Sequence, residues 1–158
     1  MCNKLKKVFW LVSLLFLVAC TMSKKSEKLT VTTIHNEIEI GTTTPSDLRK
    51  NFGKPSDSVK NPQKAQELEE YWNDYEGGVN YSLEDNTDYW ETLHYSDSNN
   101  IYGNKDIQEY YKYTGPNLGV KSVYFFIIDN KVVSFAFEGE IINKSVAKQD
   151  KYLRQILD

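Results

Sequence analysis

The feature that most constrains this chain is the stretch VKSVYFFIIDNKVVSFAFE at residues 120–138. It contains two runs, 120–129 and 132–138, that are dense in β-branched and aromatic residues and nearly contiguous. Such runs read as paired strands, and residues 129–131 leave room only for a tight turn. Side chains alternate between the two faces of a strand. Whether the turn centres on Asp129 and Asn130 or on Asn130 and Lys131, even positions of the first run oppose odd positions of the second. Tyr124, Phe126, Ile128, Val133, Phe135 and Phe137 are thereby predicted to share one face, under helices. The opposite face would carry Val123, Phe125, Ile127, Val132, Ser134 and Ala136, and it too is largely apolar. An antiparallel sheet covered on one side should show a polar outer face. Two readings follow. Either the 29–40 segment or a C-terminal helix covers this second face, or Val123, Phe125, Ile127 and Val132 form a docking face for another protein.

The remaining segments supply what could cover a sheet. Residues 44–55, TPSDLRKNFGKP, form a complete short helix signal. Thr44 is an N-cap, Pro45 occupies the first helical position, and Asp47 suits the positive end of the helix dipole. Leu48 and Phe52 share a face, Gly53 fits the C′ position, and Pro55 prevents continuation. Asn61 and Pro62 repeat the start signal. Ala65, Leu68, Trp72 and Tyr75 then follow at helical spacing, and Gly77 and Gly78 end the run. Residues 29–40 read as a short first strand and 79–83 as an additional one. Runs at 90–95 and 107–113 also read as strands, and 147–157 as a C-terminal helix. The predicted class is α+β, with a helix pair packed on a roughly four-stranded antiparallel sheet.

The N-terminus points to an anchor. Lys4, Lys6 and Lys7 precede a 12-residue run, 8–19, that is apolar except for Ser13. That run is too short for a permanent membrane span but right for a secretory signal. Leu17, Val18, Ala19 and Cys20 resemble the bacterial lipobox. The resemblance implies a signal peptide over 1–19, an acylated Cys20 as first mature residue, and attachment to the cell envelope by lipid. Thr21 after the cysteine favours the outer membrane if the host is Gram-negative. The polar stretch 21–28 reads as a tether, leaving 29–158 as one domain. Cys2 is lost with the signal and Cys20 is blocked, so neither disulfide chemistry nor a thiol nucleophile is expected. Without the three leader lysines, 16 basic residues face 22 acidic ones, a net charge of −6. No nucleic-acid partner is expected of that field.

The pattern at residues 44–55 resembles the opening of the SmpA/OmlA family of small lipoproteins, in which a Thr, spaced apolar residues and a Gly-x-Pro follow one another as here. Gly41 stands one place too far upstream of that pattern, and the tyrosine-rich stretch 71–113 is longer than is typical of the family. The resemblance implies an α+β fold like the repeat of β-lactamase inhibitory protein. It also implies work through protein–protein contacts rather than catalysis.

The residues offer little chemistry. His35 and His94 are the only histidines, lie far apart in sequence, and are expected on the surface or in a sheet. No metal site is expected, and no serine stands in a hydrolase motif. Residues 97–103 with Glu109 depart from a calcium-loop pattern and read as a polar loop. The aromatics are a better lead. All 11 tyrosines lie after Glu70. Trp72, Tyr75, Trp90, Tyr95, Tyr110 and Tyr111 are too many for one core, and Tyr110 and Tyr111 must point to opposite sides of a strand. Exposed aromatics suit protein hot spots and also stack on sugars. The expected function is a noncatalytic, lipid-anchored protein-binding module, as scaffold, assembly factor or inhibitor, that uses no cofactor. The alternative is a glycan- or peptidoglycan-binding lipoprotein that uses the tyrosine-rich region.

Overall fold

A computed structural model describes residues 28–96 and 105–157. Cys20, residues 1–19 and residues 97–103, for which the sequence predicts a lipidation site, a signal peptide and a polar loop, lie outside the described residues. The elements run α1 (Val31–Glu37), β1 (Glu39–Ile40), α2 (Pro45–Phe52), β2 (Asp57–Val59), α3 (Pro62–Asn73) and α4 (Val79–Asn86). They continue as β3 (His94–Tyr95), β4 (Glu109–Tyr113), β5 (Val123–Ile128), β6 (Lys131–Phe137) and α5 (Lys144–Ala147), ending in a 3-10 turn at Leu153–Ile156. The fold is α+β. Four antiparallel strands stand in the order β2-β4-β5-β6, and β1 and β3 form a separate two-residue parallel pair.

The hairpin turns on Asp129 and Asn130, both with positive φ (48° and 61°). Two such residues make the turn whose twist matches the flanking strands. Ile128 then opposes Lys131, and Ile127 opposes Val132. The next pair, however, is Phe126 with Ser134. Val133 is therefore the extra residue of a β-bulge, and a bulge shifts the pairing by one residue. Even positions oppose even ones beyond it. Phe135 and Phe137 lie with Val123, Phe125, Ile127 and Val132, not with Tyr124, Phe126 and Ile128 as the unbulged register requires. Val133 alone stays on the predicted side.

Both faces of β5 are buried. Val123, Phe125, Ile127 and Val132, the candidate docking face, have no exposed surface at all. They form the main core with Val31, Ile34 and Ile38 around α1, Leu48 of α2, Leu83 of α4, and Leu153 near the C-terminus. The face is sealed within the chain because residues 29–40 are not the strand their β-branched residues suggest. Thr30 and Thr33 form a reciprocal capping box, with the Thr33 N–H donating to Thr30 Oγ1 at 3.0 Å and the Thr30 N–H to Thr33 Oγ1 at 2.9 Å. That box starts a helix, and Val31, Ile34 and Ile38 recur at helical spacing along its inner side. The C-terminal segment completes the cover. It is two short pieces rather than one helix, held to α1 by the Thr32 N–H donating to Asp150 at 2.9 Å.

The second face is covered by α3. Ala65 is fully buried against Tyr124, Phe126, Ile128 and Ala136, with Leu68 and Trp72 packed around it. α2 and α3 thus press on opposite faces of the sheet rather than side by side on one. α2 follows its sequence signal closely, with Thr44 and Asp47 forming its own capping box and Gly53 ending it at φ 83°. Hydrogen bonds from the Thr44 side chain and backbone hold the Asp47 carboxyl below its ordinary range.

Residues 79–83 are helical, not extended: Val79, Asn80 and Leu83 turn inward while Tyr81 faces out. Of the 90–95 run only His94 and Tyr95 are extended, and they pair with β1. β2, which the sequence does not announce, pairs with β4 across some fifty residues of chain.

Candidate functional site

β6 is an edge strand of the sheet, and what its outer side meets can be followed residue by residue. In an antiparallel pair, successive residues turn their N–H and C=O alternately toward and away from the partner. The Glu138 N–H donates to Ser122 O of the β5 side at 2.9 Å, so Phe137 faces outward. Asn80 of α4 meets it there. The Phe137 N–H donates to Asn80 Oδ1 at 2.9 Å, and Asn80 Nδ2 donates to Phe137 O at 2.9 Å. A side-chain carboxamide thus stands in for a neighbouring strand. At the other end Val132 also faces outward. Its N–H donates to Thr43 O and its carbonyl accepts from Gly41 N–H, both at 2.8 Å.

Between them Phe135 also faces outward. Among the described residues no group pairs with its N–H or C=O on that side. A cleft of about 290 Å³ lies here. It is lined by Val133 and Ser134, by Phe135 of the opposite face, and by residues of α4 and the β1–β3 pair, so it straddles the strand's edge. Trp90 and Tyr95 form aromatic walls. Trp90 is held in place by its Nε1 donating to Asn80 O at 3.1 Å and by its ring lying 5.3 Å from that of Phe135. Tyr95 is about half exposed. Among the described lining residues Glu84 supplies the only carboxylate, and no lysine or arginine joins them.

The six candidate aromatics do not form one surface. Trp90 and Tyr95 meet at the cleft. Tyr75 stacks on Tyr71 (6.2 Å, 21°) and meets Trp72 edge-on at the far end of α3, with Tyr71 57% exposed. Tyr110 shares a shallow groove with Tyr71 and Lys64. Tyr111 is not part of any aromatic surface. It lies on the opposite side of β4, as alternation demands, but is buried in the main core. Sequence reasoning missed Tyr71, Asn80, Glu84 and Phe135. The first three sit at ordinary helix positions, and the last is marked only by an edge that long-range pairing creates.

Two further polar clusters are structural. Glu138 is buried and accepts from Lys112, Lys121, Ser122 and Tyr124. Burial pushes its carboxyl up, but hydrogen bonds from those four groups prevail and hold it at about 2. His35 is buried rather than on the surface. Its Nε2 lies 2.9 Å from Thr92 Oγ1 and 3.1 Å from the Tyr152 hydroxyl, and burial lowers its pKa. His94, by contrast, is exposed. Among the described residues no group of three or more His, Cys, Asp and Glu is placed to hold a metal ion. No helix among them is long and apolar enough to cross a membrane.

No family model matches the chain, and no significant match was found among curated proteins or solved structures.

Proposed function

We propose that this protein is a noncatalytic, lipid-anchored lipoprotein of the bacterial cell envelope that binds another envelope protein, as the likeness of its N-terminus to a lipobox and of residues 44–55 to the SmpA/OmlA pattern suggests. The buried hairpin face plays no part in that contact. The binding surface is the cleft on the β6 edge, and the observation that carries it is the pairing of two aromatic walls, Trp90 and Tyr95, with an open strand edge. Aromatic side chains beside an apolar floor are typical anchors of protein contacts. The test is a photoreactive residue at position 95 of the full-length lipoprotein in its native membrane. One defined protein adduct, lost in Glu84→Lys while the thermal melt is unchanged, is the expected result. The absence of any protein adduct contradicts the reading.

A glycan-binding role has one observation of its own, the exposed Tyr71–Tyr75 stack, a shape on which sugar rings pack. It predicts that cell-wall fragments quench tryptophan fluorescence through neighbouring Trp72, and unchanged fluorescence ends it.

A further inference from the structure

We infer that the cleft receives one residue of a polypeptide partner in extended form, whose N–H and C=O pair with the C=O and N–H of Phe135. This inference rests on the protein-binding reading above and names the chemistry by which the same cleft would recognise its partner.

The neighbouring position supplies the precedent. At Phe137, two residues along the same edge, the Asn80 carboxamide already completes the missing strand with one donor and one acceptor. Phe135, only 2% exposed as a residue, leaves the same two groups unpaired in the same direction at the floor of the cleft, and adding a strand residue to an unpaired edge is an established mode of peptide recognition. Its reach is limited, however. Asn80 closes the edge at Phe137, and Gly41 and Thr43 close it at Val132. At about 3.3 Å per residue, the open interval admits one paired residue and its two neighbours, not a long strand. A cleft of about 290 Å³ agrees with that short ligand.

Geometry also argues against an N-acetyl sugar. The N–H and C=O of a trans acetamido group point in opposite directions, so it satisfies only one of the two Phe135 groups. An extended residue turns its own N–H and C=O the same way and satisfies both. The charge of the cleft narrows the sequence. Among the described lining residues Glu84 is the only carboxylate and none is basic, so a basic side chain at the paired residue is favoured, with Trp90 and Tyr95 offering ring faces to a cation.

The test is an ¹⁵N NMR titration of the full chain in detergent micelles. The probes are acetyl-Ala-Arg-Ala-amide, the same peptide N-methylated at Arg, acetyl-Ala-Glu-Ala-amide and N-acetylglucosamine. The Arg peptide should move the Phe135 amide and the Trp90 indole N–H saturably, leaving the Phe137 amide in place. N-methylation, which removes the donor to Phe135 O, should weaken binding by about tenfold, and Glu in place of Arg should weaken it as well. A stationary Phe135 amide at saturating peptide overturns the inference, as does equal binding of the N-methylated probe. Movement by N-acetylglucosamine alone would make the cleft a sugar site. If the peptides fail while the position-95 crosslink to a protein persists, this inference falls and the protein-binding reading stands. If both fail, both fall.

Discussion

The faces and the edge of the β5–β6 hairpin are built of the same kind of sequence and have opposite fates. Both faces are closed by the chain's own helices, the first by α1, α2, α4 and the C-terminal segment, the second by α3. The outer edge of β6 is closed at Val132 and Phe137 and open at Phe135. Apolar side chains on two faces of a strand thus do not by themselves mark a docking surface. A sheet buried on both sides has the same pattern, and the place left for a partner is where main-chain groups lack a neighbour.

The largest effect that would separate the two regions is at the faces. Phe125→Asp places an unpaired charge among Phe52, Tyr113 and Phe135, a cost of several kcal/mol against a total stability of about 5–15 kcal/mol. Loss of the cooperative melt by circular dichroism is expected. A normal melt with only partner capture lost would restore the face as a docking surface. Next is the clip where the hairpin ends. The carboxyl of Glu138 is held at about 2, against 4.5 unperturbed. A lowered carboxyl contributes stability that is present above pH 4.5 and is lost as pH falls through 2, here at most on the order of 3 kcal/mol. In Glu138→Gln the stability measured by denaturant unfolding should be lower at neutral pH and should change less between pH 5 and pH 2. An unaltered pH profile would place the acid sensitivity elsewhere.

At the sealed part of the edge the expected effect is smaller. Asn80→Ala leaves the Phe137 N–H and C=O without their partners and should cost about 2 kcal/mol in chemical denaturation. It should also make the Phe137 amide exchange as fast as that of Phe135. No change in either quantity would show that Asn80 does not close the edge. The smallest effect is expected at the open part. Tyr95→Ser should change stability by less than about 0.5 kcal/mol and yet abolish partner capture. A marked fall in the melting temperature would make Tyr95 part of the core.

Where the fold is local it was legible in the sequence. α2 and α3 follow from Thr44 and Asn61 as caps, from Pro45 and Pro62 at the first turn, and from apolar residues at helical spacing. The hairpin follows from two apolar runs around Asp129 and Asn130. α1 and α4 look like strands because Val31, Ile34, Val79 and Tyr81 suit strands by type, whereas the i, i+3 and i, i+4 spacing of Val31 with Ile34 and of Val79 with Leu83, and the Thr30–Thr33 box, suit helices. The bulge at Val133 has no signature in a chain of consecutive valines, and it alone reassigns Phe135 and Phe137 to the other face. The cleft was least legible. Trp90 and Tyr95 stand out in the sequence as aromatics, but their meeting with Phe135 depends on Gly41, Asn80 and β6 coming together from distant parts of the chain.

Native-state amide hydrogen exchange along β6 tests the central claim most directly. The Phe135 amide should exchange far faster than those of Val132 and Phe137 on the same outer edge, and faster than that of Ala136, which faces β5. Protection of Phe135 equal to that of Val132 and Phe137 would show that the edge is already closed there and would contradict the account.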